Sequence, residues 1–520
     1  MKPYLVSGVS NCTDIDSVQN SLLPRFLRGK PDTGTHVAKW CFRSCRKDSS
    51  FASRAVQIDS TEETKSHIEA SPLFSLQPGM DLSNSDKTFE TSIGAIINGD
   101  IGKKLSLSVS FIAGNSGFAD HIDSVIQNYD VVPGQGYAHD TKSGYAYSIY
   151  SGYLSYSPSK YFNFQLGQGK NFWGDGYRSL LLSDNSYNYP FFKISTNVWK
   201  LKYVNLFTAF RDIRNSAPYS HIPLQAGEGW GDLKYGTFHY LSWNITKRLN
   251  IGLFESIIWQ GEDSSGERGY DINYLNPIIF YRPVEYSLGS SDNALLGLNL
   301  KIKIAKKQQI YGQVIFDEFF LKEIRADFKK MLNPEDTTII SGWWANKYGF
   351  QLGFKSFDLF KIKNLSFQTE FNYVRPYTYS HGISLQNYSH FSQPLAHPLG
   401  ANFYESVSFL KYCYKNWLFE GKFLYAVYGA DTSGSNWGGN IFLDYKTPRE
   451  QDFNNTVAQG AKTDIIYADL RISYLIDPGL NLRVEAGISN RIQNSLQKKG
   501  MTNFIYLGLR TALWNVYYDM

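Results

Sequence analysis

The feature that most constrains the fold of this chain is the alternation of apolar and polar residues in many short segments. In the clearest segment, Val484 and Ile488 fall on one face, and Arg483 and Glu485 fall on the other. Successive side chains of a β-strand point to opposite faces, so this period of two predicts strands with one apolar and one charged side. In a soluble sandwich the charged side would meet water, whereas in a membrane barrel it would line the lumen.

The connections between these segments alternate between short and long, which separates the two architectures. Short turns are predicted near residues 98–100, 157–160, 246–247, 305–307, 414–416 and 477–479. Long connections are predicted near residues 113–142, 168–188, 212–235, 260–291, 319–345, 375–400 and 429–462. Outer-membrane barrels have short periplasmic turns and long extracellular loops, and a Greek-key sandwich does not. The sequence therefore predicts an all-β fold, an antiparallel transmembrane β-barrel of about 18 strands with long extracellular loops.

The strand count depends on parity, because such barrels have an even number of strands. Residues 440–446 could be counted as a strand, but the carboxyl end would then lie outside, so we place them in a loop. The first strand is expected near residues 68–76 and the last near 503–514. Two strands must fit between Phe191 and Phe210, although residues 197–200 form a poor turn sequence.

Composition supports this class and excludes others. The chain has 37 Tyr, 35 Phe and 43 Gly in 520 residues, which suits strands and turns. A mean hydropathy of -0.33, without an apolar run of about 18 residues, excludes a helical membrane protein. The net charge of +5 is mild, and basic residues do not cluster with aromatic residues, so nucleic-acid binding is disfavoured.

The amino-terminal region lacks the pattern of an export signal. It contains no basic segment followed by an apolar segment and a small-residue cleavage site, which an exported barrel requires. Either the protein is not exported or the chain begins downstream of a signal peptide. We expect the second, with a periplasmic segment at residues 1–60, its signal peptide missing, and the barrel at residues 61–520.

Several loops combine aromatic rings with polar groups, above all the glycine-rich run Gly167–Asp184. A sugar site needs flat apolar faces beside planar hydrogen-bonding groups, and Arg178 or Arg375 could pair with uronic-acid carboxylates. The alternative is that these residues only pack the loops together. We expect the loops to converge over one mouth of the barrel. The candidate polysaccharide-binding residues are Trp173, Tyr177, Arg178, Asp184, Trp343, Trp344, Asn346, Arg375, Tyr377 and Asn402.

Other chemistry has weaker support in the sequence. His381, His390 and His397 match no metal-ligand spacing, so neither a metal nor a cofactor is expected. Asp317 and Glu370 could act as paired glycosidase carboxylates, but acids that line a lumen and are compensated by Lys or Arg are the commoner case. We expect no catalytic residues and no enzyme activity.

The loop motifs also carry a family resemblance over nearly the whole chain. The segment Gly174–Asp184 resembles the signature of the Wzi-like capsule-assembly family. The other motifs resemble the RemB-like branch, which includes gliding-motility proteins, and they are Tyr274–Pro277, Asp292–Asn293, Trp343–Lys347, Arg375–His381 and Leu395–Asn402. This resemblance implies an eighteen-stranded outer-membrane barrel that binds capsular polysaccharide.

The function expected from the sequence is a non-enzymatic outer-membrane barrel that binds, anchors or assembles surface polysaccharide. Its partners would be extracellular or capsular polysaccharide, outer-membrane lipid, and gliding or capsule-export machinery. The alternative is a porin or a substrate-specific outer-membrane channel, because the same strands would serve either function.

Overall fold

The computed structural model describes residues 66–214, 231–263, 266–276, 292–432, 434–495, 499–511 and 516–520. The segment 1–60 that we expect to be periplasmic lies outside the described residues.

Eighteen antiparallel strands of the described chain form one closed barrel. The strands are β1 (His67–Asp81), β2 (Asp86–Ile101), β3 (Leu105–Gly117), β4 (Gly144–Tyr156), β5 (Phe162–Gly169), β6 (Tyr189–Val198), β7 (Leu201–Asp212), β8 (Asp232–Asn244), β9 (Leu249–Gln260), β10 (Asn293–Ala305), β11 (Gln308–Phe316), β12 (Tyr348–Phe357), β13 (Leu365–Val374), β14 (Phe403–Tyr414), β15 (Trp417–Ala430), β16 (Ala461–Asp477), β17 (Leu482–Ser495) and β18 (Lys499–Arg510). The barrel closes where β1 pairs with β18, for example Leu76 with Leu509. The predicted fold class is confirmed.

From β2 to β17, short and long connections alternate as the sequence predicts. The turn between β6 and β7 is the pair Trp199 and Lys200, and it forms because Trp199 adopts a left-handed φ of 54°. The turn expected at residues 98–100 instead lies at 102–104, because β2 continues to Ile101. Residues 440–446 contain no strand, so their assignment to a loop is correct.

The outer face of the barrel is apolar, as contact with lipid requires. Large side chains on this face are more than half exposed, and examples are Ile93, Leu166, Leu352, Leu470 and Leu507. The lumen face is polar along much of the sheet, with buried Gln351, Glu370, Glu405 and Glu485 on β12, β13, β14 and β17. It is apolar along β7 to β9, where the lumen contains a hydrophobic core.

The long loops carry short elements of their own. Helix α1 (Asp120–Tyr129) lies between β3 and β4, and helix α2 (Leu321–Leu332) lies between β11 and β12. None of the helices within the described ranges is both long and apolar enough to cross a membrane. The remaining loop elements are the strands Val131–Val132, Gly136–Tyr137, His139–Thr141, Glu262–Asp263, Gly266–Glu267, Ser389–His390 and Gln393–Pro394 and the 3-10 helices Ile272–Leu275 and Ser384–Gln386.

Candidate functional site

The glycine-rich motif lies in the connection between β5 and β6, residues 170–188, which we call the lumen loop. This loop folds into the barrel, where nearly all of its residues are buried. It therefore occupies the lumen instead of projecting from the mouth of the barrel.

One side of the lumen loop is apolar and packs against β7 to β9. Leu180, Leu181 and Leu182 are all 0% exposed and belong to the hydrophobic core inside the barrel. Trp173 stacks on Tyr240 with ring centroids 5.5 Å apart. Burying three leucines contributes about 1.5 to 3 kcal/mol each, so this contact holds the loop in place.

The other side of the lumen loop is polar, and its backbone is bound by side chains from the lumen wall. Glu370 on β13 accepts hydrogen bonds from the backbone N–H groups of Tyr177 (2.8 Å) and Arg178 (3.1 Å). Gln313 on β11 accepts one from the N–H of Leu180 at 2.8 Å. Gln351 on β12 donates one to the carbonyl of Arg178 at 3.0 Å. The loop backbone is thus satisfied by the barrel wall and not by water.

The two glycines of the motif are required by this close contact. A Cβ atom at Gly176 would lie 2.3 Å from Glu370 Oε2, and one at Gly174 would lie 2.3 Å from Gln313 Nε2. Gly174 also has a φ of 150°, which residues with a side chain rarely adopt. The sequence Gly-Asp-Gly therefore lets the loop approach the lumen wall.

Arg178, two residues after Gly176, has no exposed surface and is bound by two carboxylates. Its Nη2 atom lies 3.1 Å from Glu405 Oε1 and 2.9 Å from Asp519 Oδ1. Its guanidinium also lies over the rings of Tyr177 and Tyr517, 4.6 Å and 4.7 Å from their centroids. Arg178 is therefore fully buried in the protein and is out of reach of a glycan.

The second carboxylate belongs to residues 516–520, which follow β18 and also lie within the barrel. Asp519 forms an ion pair with Lys422 at 2.6 Å and accepts a hydrogen bond from Tyr177 Oη at 2.9 Å. Tyr517 Oη donates to Asp184 at 2.5 Å. Two segments that are distant in sequence thus bind each other within the barrel.

The charges of this network determine the pKa values of its loop groups. Burial by itself would raise the pKa of Asp519, but Arg178 and Lys422 outweigh it and hold that pKa well below its usual range. Burial would likewise lower the pKa of Arg178, but Asp519 and Glu405 outweigh it and raise that pKa. Both groups are charged at neutral pH.

A second group of predicted residues lies at the outer mouth, where the loops 317–347 and 431–460 meet. Trp343 packs on Phe453 (4.8 Å between centroids), and Trp344 packs on Tyr445 (5.0 Å). Arg449 stacks on the Trp344 ring at 3.9 Å. All five side chains are partly exposed. We call these five residues, Trp343, Trp344, Tyr445, Arg449 and Phe453, the outer aromatic patch.

The remaining predicted residues support the loops around this patch. Arg375 binds Asp327 at 3.3 Å, and Asn346 donates to the same carboxylate at 3.2 Å. Tyr377 is 1% exposed and donates through Oη to the carbonyl of Asn436. Asn402 is buried and donates to the carbonyls of Gly429 and Gln459.

The ten predicted residues thus fall into two groups instead of converging over one mouth. Trp173, Tyr177, Arg178 and Asp184 lie in the lumen. Trp343 and Trp344 are partly exposed at the mouth, where Asn346, Arg375, Tyr377 and Asn402 lie buried beneath the surface. Sequence reasoning missed Arg449 and Asp519. Arg449 belongs to a loop without a recognised motif, and Asp519 lies far along the chain from its partner.

The histidines and acids considered for other chemistry have protein partners. His397 Nε2 lies 2.8 Å from Glu405, and His390 Nδ1 accepts the backbone N–H of Arg211 at 2.9 Å. Asp317 pairs with Lys347 at 3.4 Å, and burial raises the pKa of Asp317 to about 6. Within the described ranges, no group of three or more His, Cys, Asp or Glu side chains is arranged to hold a metal ion.

The closed sheet, its apolar outer face and its filled lumen define the class: this protein is an outer-membrane β-barrel. No family model matches the chain, and no curated protein matches it in sequence. Among solved structures, the fold is similar to that of Wzi from Escherichia coli, an outer-membrane protein involved in group 1 capsule assembly and described as a carbohydrate-binding β-barrel. That similarity has a TM-score of 0.51 and 13% identity and covers 86% of this chain and 85% of Wzi.

Two solved structures from Pseudomonas aeruginosa are also similar in shape. OprD has a TM-score of 0.44 and 10% identity, over 90% of this chain and 99% of OprD. OpdK, solved with vanillate, has a TM-score of 0.46 and 10% identity, over 86% of this chain and 98% of OpdK. At these identities the similarities concern the fold alone.

Proposed function

We propose that this barrel is a non-enzymatic surface protein that binds extracellular polysaccharide and holds it at the outer membrane. The observation that carries the proposal is the outer aromatic patch, which places partly exposed indole and phenyl rings beside a guanidinium group. Such a surface suits a sugar chain, because pyranose rings offer apolar faces and uronic acids offer carboxylates.

The filled lumen favours polysaccharide anchoring over substrate transport. The lumen loop and residues 516–520 are held by a hydrophobic core and by buried ion pairs. A buried plug suits an anchor, whereas a channel needs a path for its substrate. The similarity in fold to Wzi agrees with this proposal.

Within the proposal, Trp343, Trp344 and Arg449 contact the glycan. Arg449 takes the role that the sequence assigned to Arg178 and Arg375, because it is stacked on a partly exposed ring and its ion-pair partner, Asp452, is 56% exposed. The buried predicted residues act as supports of the lumen plug or of the patch. A connection to gliding or capsule-export machinery remains a prediction of the sequence resemblance.

Binding of purified protein to alginate, a polyuronate, and to neutral dextran tests this assignment. The double variant Trp343→Ala/Trp344→Ala should bind alginate about tenfold more weakly, a loss of about 1.4 kcal/mol. The matched control is Trp199→Ala, because Trp199 is 78% exposed but lies on a short turn at the opposite end of the barrel. Heat-modifiable migration on gels confirms assembly of each variant.

Three results would contradict the proposal. Equal alginate binding by the double variant and the control would remove the patch from the binding surface. Stepwise ion conductance of the unmodified protein in planar bilayers would favour the porin or channel function instead. Release of reducing sugar from alginate, abolished by Glu370→Gln in an assembled barrel, would establish an enzyme.

A further inference from the structure

We propose that helix α2 lies on the outer leaflet of the membrane, with its apolar face at the lipid interface and its basic flank on the phosphates of an anionic glycolipid. The helix would give the loop between β11 and β12, which also carries Trp343 and Trp344 of the outer aromatic patch, a second surface that binds lipid.

The lengths of the adjacent strands place the helix at the height of the interface. Strand β11 has 9 residues and β12 has 10. A tilted strand needs about 9 to 11 residues to cross the membrane, so neither strand rises far above the outer leaflet. Because helix α2 begins at Leu321, soon after β11 ends at Phe316, it starts close to the lipid headgroups.

Aromatic and ionic contacts attach the helix to the lipid-facing rim and not to the lumen. Phe316 and Tyr348 alternate with buried lumen residues, so both face outward. Phe319 packs on Phe316 with centroids 5.0 Å apart. Arg375 lies over the Tyr348 ring at 5.4 Å and binds Asp327 of the helix at 3.3 Å.

The side of the helix that faces away from the barrel is apolar. Leu321, Phe328 and Leu332 recur at helical spacing and are 63%, 57% and 64% exposed. Phe320 and Ile340 beside them are 61% and 62% exposed. In the proposed position, the lipid that covers the outer face of the barrel also reaches this surface of the helix.

The charges of the helix are divided between its two sides. Lys322, Arg325 and Lys329 are exposed beside the apolar stripe. The acids turn inward: the side chain of Asp327 is 15% exposed and that of Glu323 is 20% exposed, with Lys322 Nζ 3.9 Å from Glu323. An apolar stripe flanked by cations is the pattern of a helix that lies in an anionic interface.

These charges favour lipid over a second copy of the chain as the occupant. A symmetric contact between two α2 helices would bring the three cations of each copy close together, with the acids turned away. Phosphorylated glycolipid instead supplies the complementary charge and the acyl chains in one layer.

Fluorescence quenching by lipids tests the proposal on the full chain in nanodiscs. A fluorophore is attached through Phe328→Cys, in a background where Cys12, Cys41, Cys45 and Cys413 are replaced by Ser. The nanodiscs contain phosphatidylethanolamine, bisphosphorylated lipid A and a lipid carrying a nitroxide near its headgroup. The matched control is Lys446→Cys, on an exposed position of the loop 431–460.

We expect the label at position 328 to be quenched about threefold more than the label at 446, because an interfacial helix is buried by about 5–10 Å. The variant Lys322→Gln/Arg325→Gln/Lys329→Gln should lose the part of the quenching that depends on the lipid A phosphates. Equal quenching at 328 and 446 would overturn the proposal. Quenching at 328 that is unchanged by the charge variant would also overturn it. Fluorescence energy transfer between labels on different copies, rising with protein concentration, would overturn it in favour of a second copy of the chain.

Discussion

Arg178 Nη2 lies 2.9 Å from Asp519 Oδ1, although 341 residues separate the two in sequence. This ion pair joins the lumen loop to the segment that follows the last strand. Neither residue is on a strand, so the pair adds nothing to the sheet itself. It fixes two of the segments that lie within the barrel.

The first prediction concerns removal of the acidic partner. Asp519→Ala leaves the guanidinium of Arg178 and the ammonium of Lys422 without a shared carboxylate, and breaking a buried pair costs about 3–5 kcal/mol. We expect an assembled barrel that loses its folded migration on gels at a lower temperature. The control is Asp140→Ala, because Asp140 is exposed on a loop. Equal transitions for both variants would contradict a stabilising role of the pair.

The second prediction is a dependence of stability on acid pH. The pKa of Asp519 is lowered in the folded protein, so its contribution is complete above the unfolded value of about 3.9. That contribution is lost as the pH falls further, because the unfolded state then takes up a proton that the folded state binds only at a lower pH. Thermal transitions measured from pH 6 to pH 3 should fall more steeply for the unmodified protein than for Asp519→Asn. Parallel curves would exclude Asp519 as the titrating group.

The third prediction tests the close contact of the glycine motif. Gly176→Ala places a Cβ atom 2.3 Å from Glu370 Oε2 and 2.7 Å from the backbone carbonyl oxygen of Arg178, so the lumen loop must move and lose hydrogen bonds to its backbone. We expect faster cleavage of the loop by an added protease, with the barrel still assembled. Gly500→Ala is the control, because a Cβ atom there meets no atom within 4 Å. The prediction is wrong if the two variants are cleaved at the same rate.

The fourth prediction concerns the apolar half of the plug. Replacing Leu180, Leu181 and Leu182 with Ser removes the side chains that pack against β7 to β9. We expect single-channel conductance in planar bilayers to rise well above that of the unmodified protein. A matched replacement of exposed Leu352 and Leu470 should leave conductance unchanged, since both face lipid. A conductance that does not change in the triple variant would show that other residues close the lumen.

Most of the barrel could be predicted because alternation is a local signal. A period of two is visible within one strand, as in Val484 and Glu485. The alternation of short and long loops then indicates that the number of strands is even. The turn at Trp199 is the hardest part of the strand pattern to predict, because its left-handed conformation occurs at a residue other than glycine.

The location of the lumen loop could not be predicted in the same way. Its leucines are buried by residues such as Leu206 and Phe238 on other strands, and no spacing within the loop indicates which side of the barrel it enters. Likewise, Arg178 next to Tyr177 suits a sugar site or a buried ion pair equally well. Only the position of Asp519 in three dimensions distinguishes them.

The position of residues 516–520 also sets an order of events during biogenesis. The lumen loop is synthesised long before Asp519, so Arg178, which also pairs with Glu405, meets its second carboxylate only when residues 516–520 have been made. Strands β1 and β18 pair beside this segment, where Thr511 binds the backbone of Phe74. A chain truncated after residue 511 could therefore insert and close its seam, yet it would reach the surface with a loosened plug.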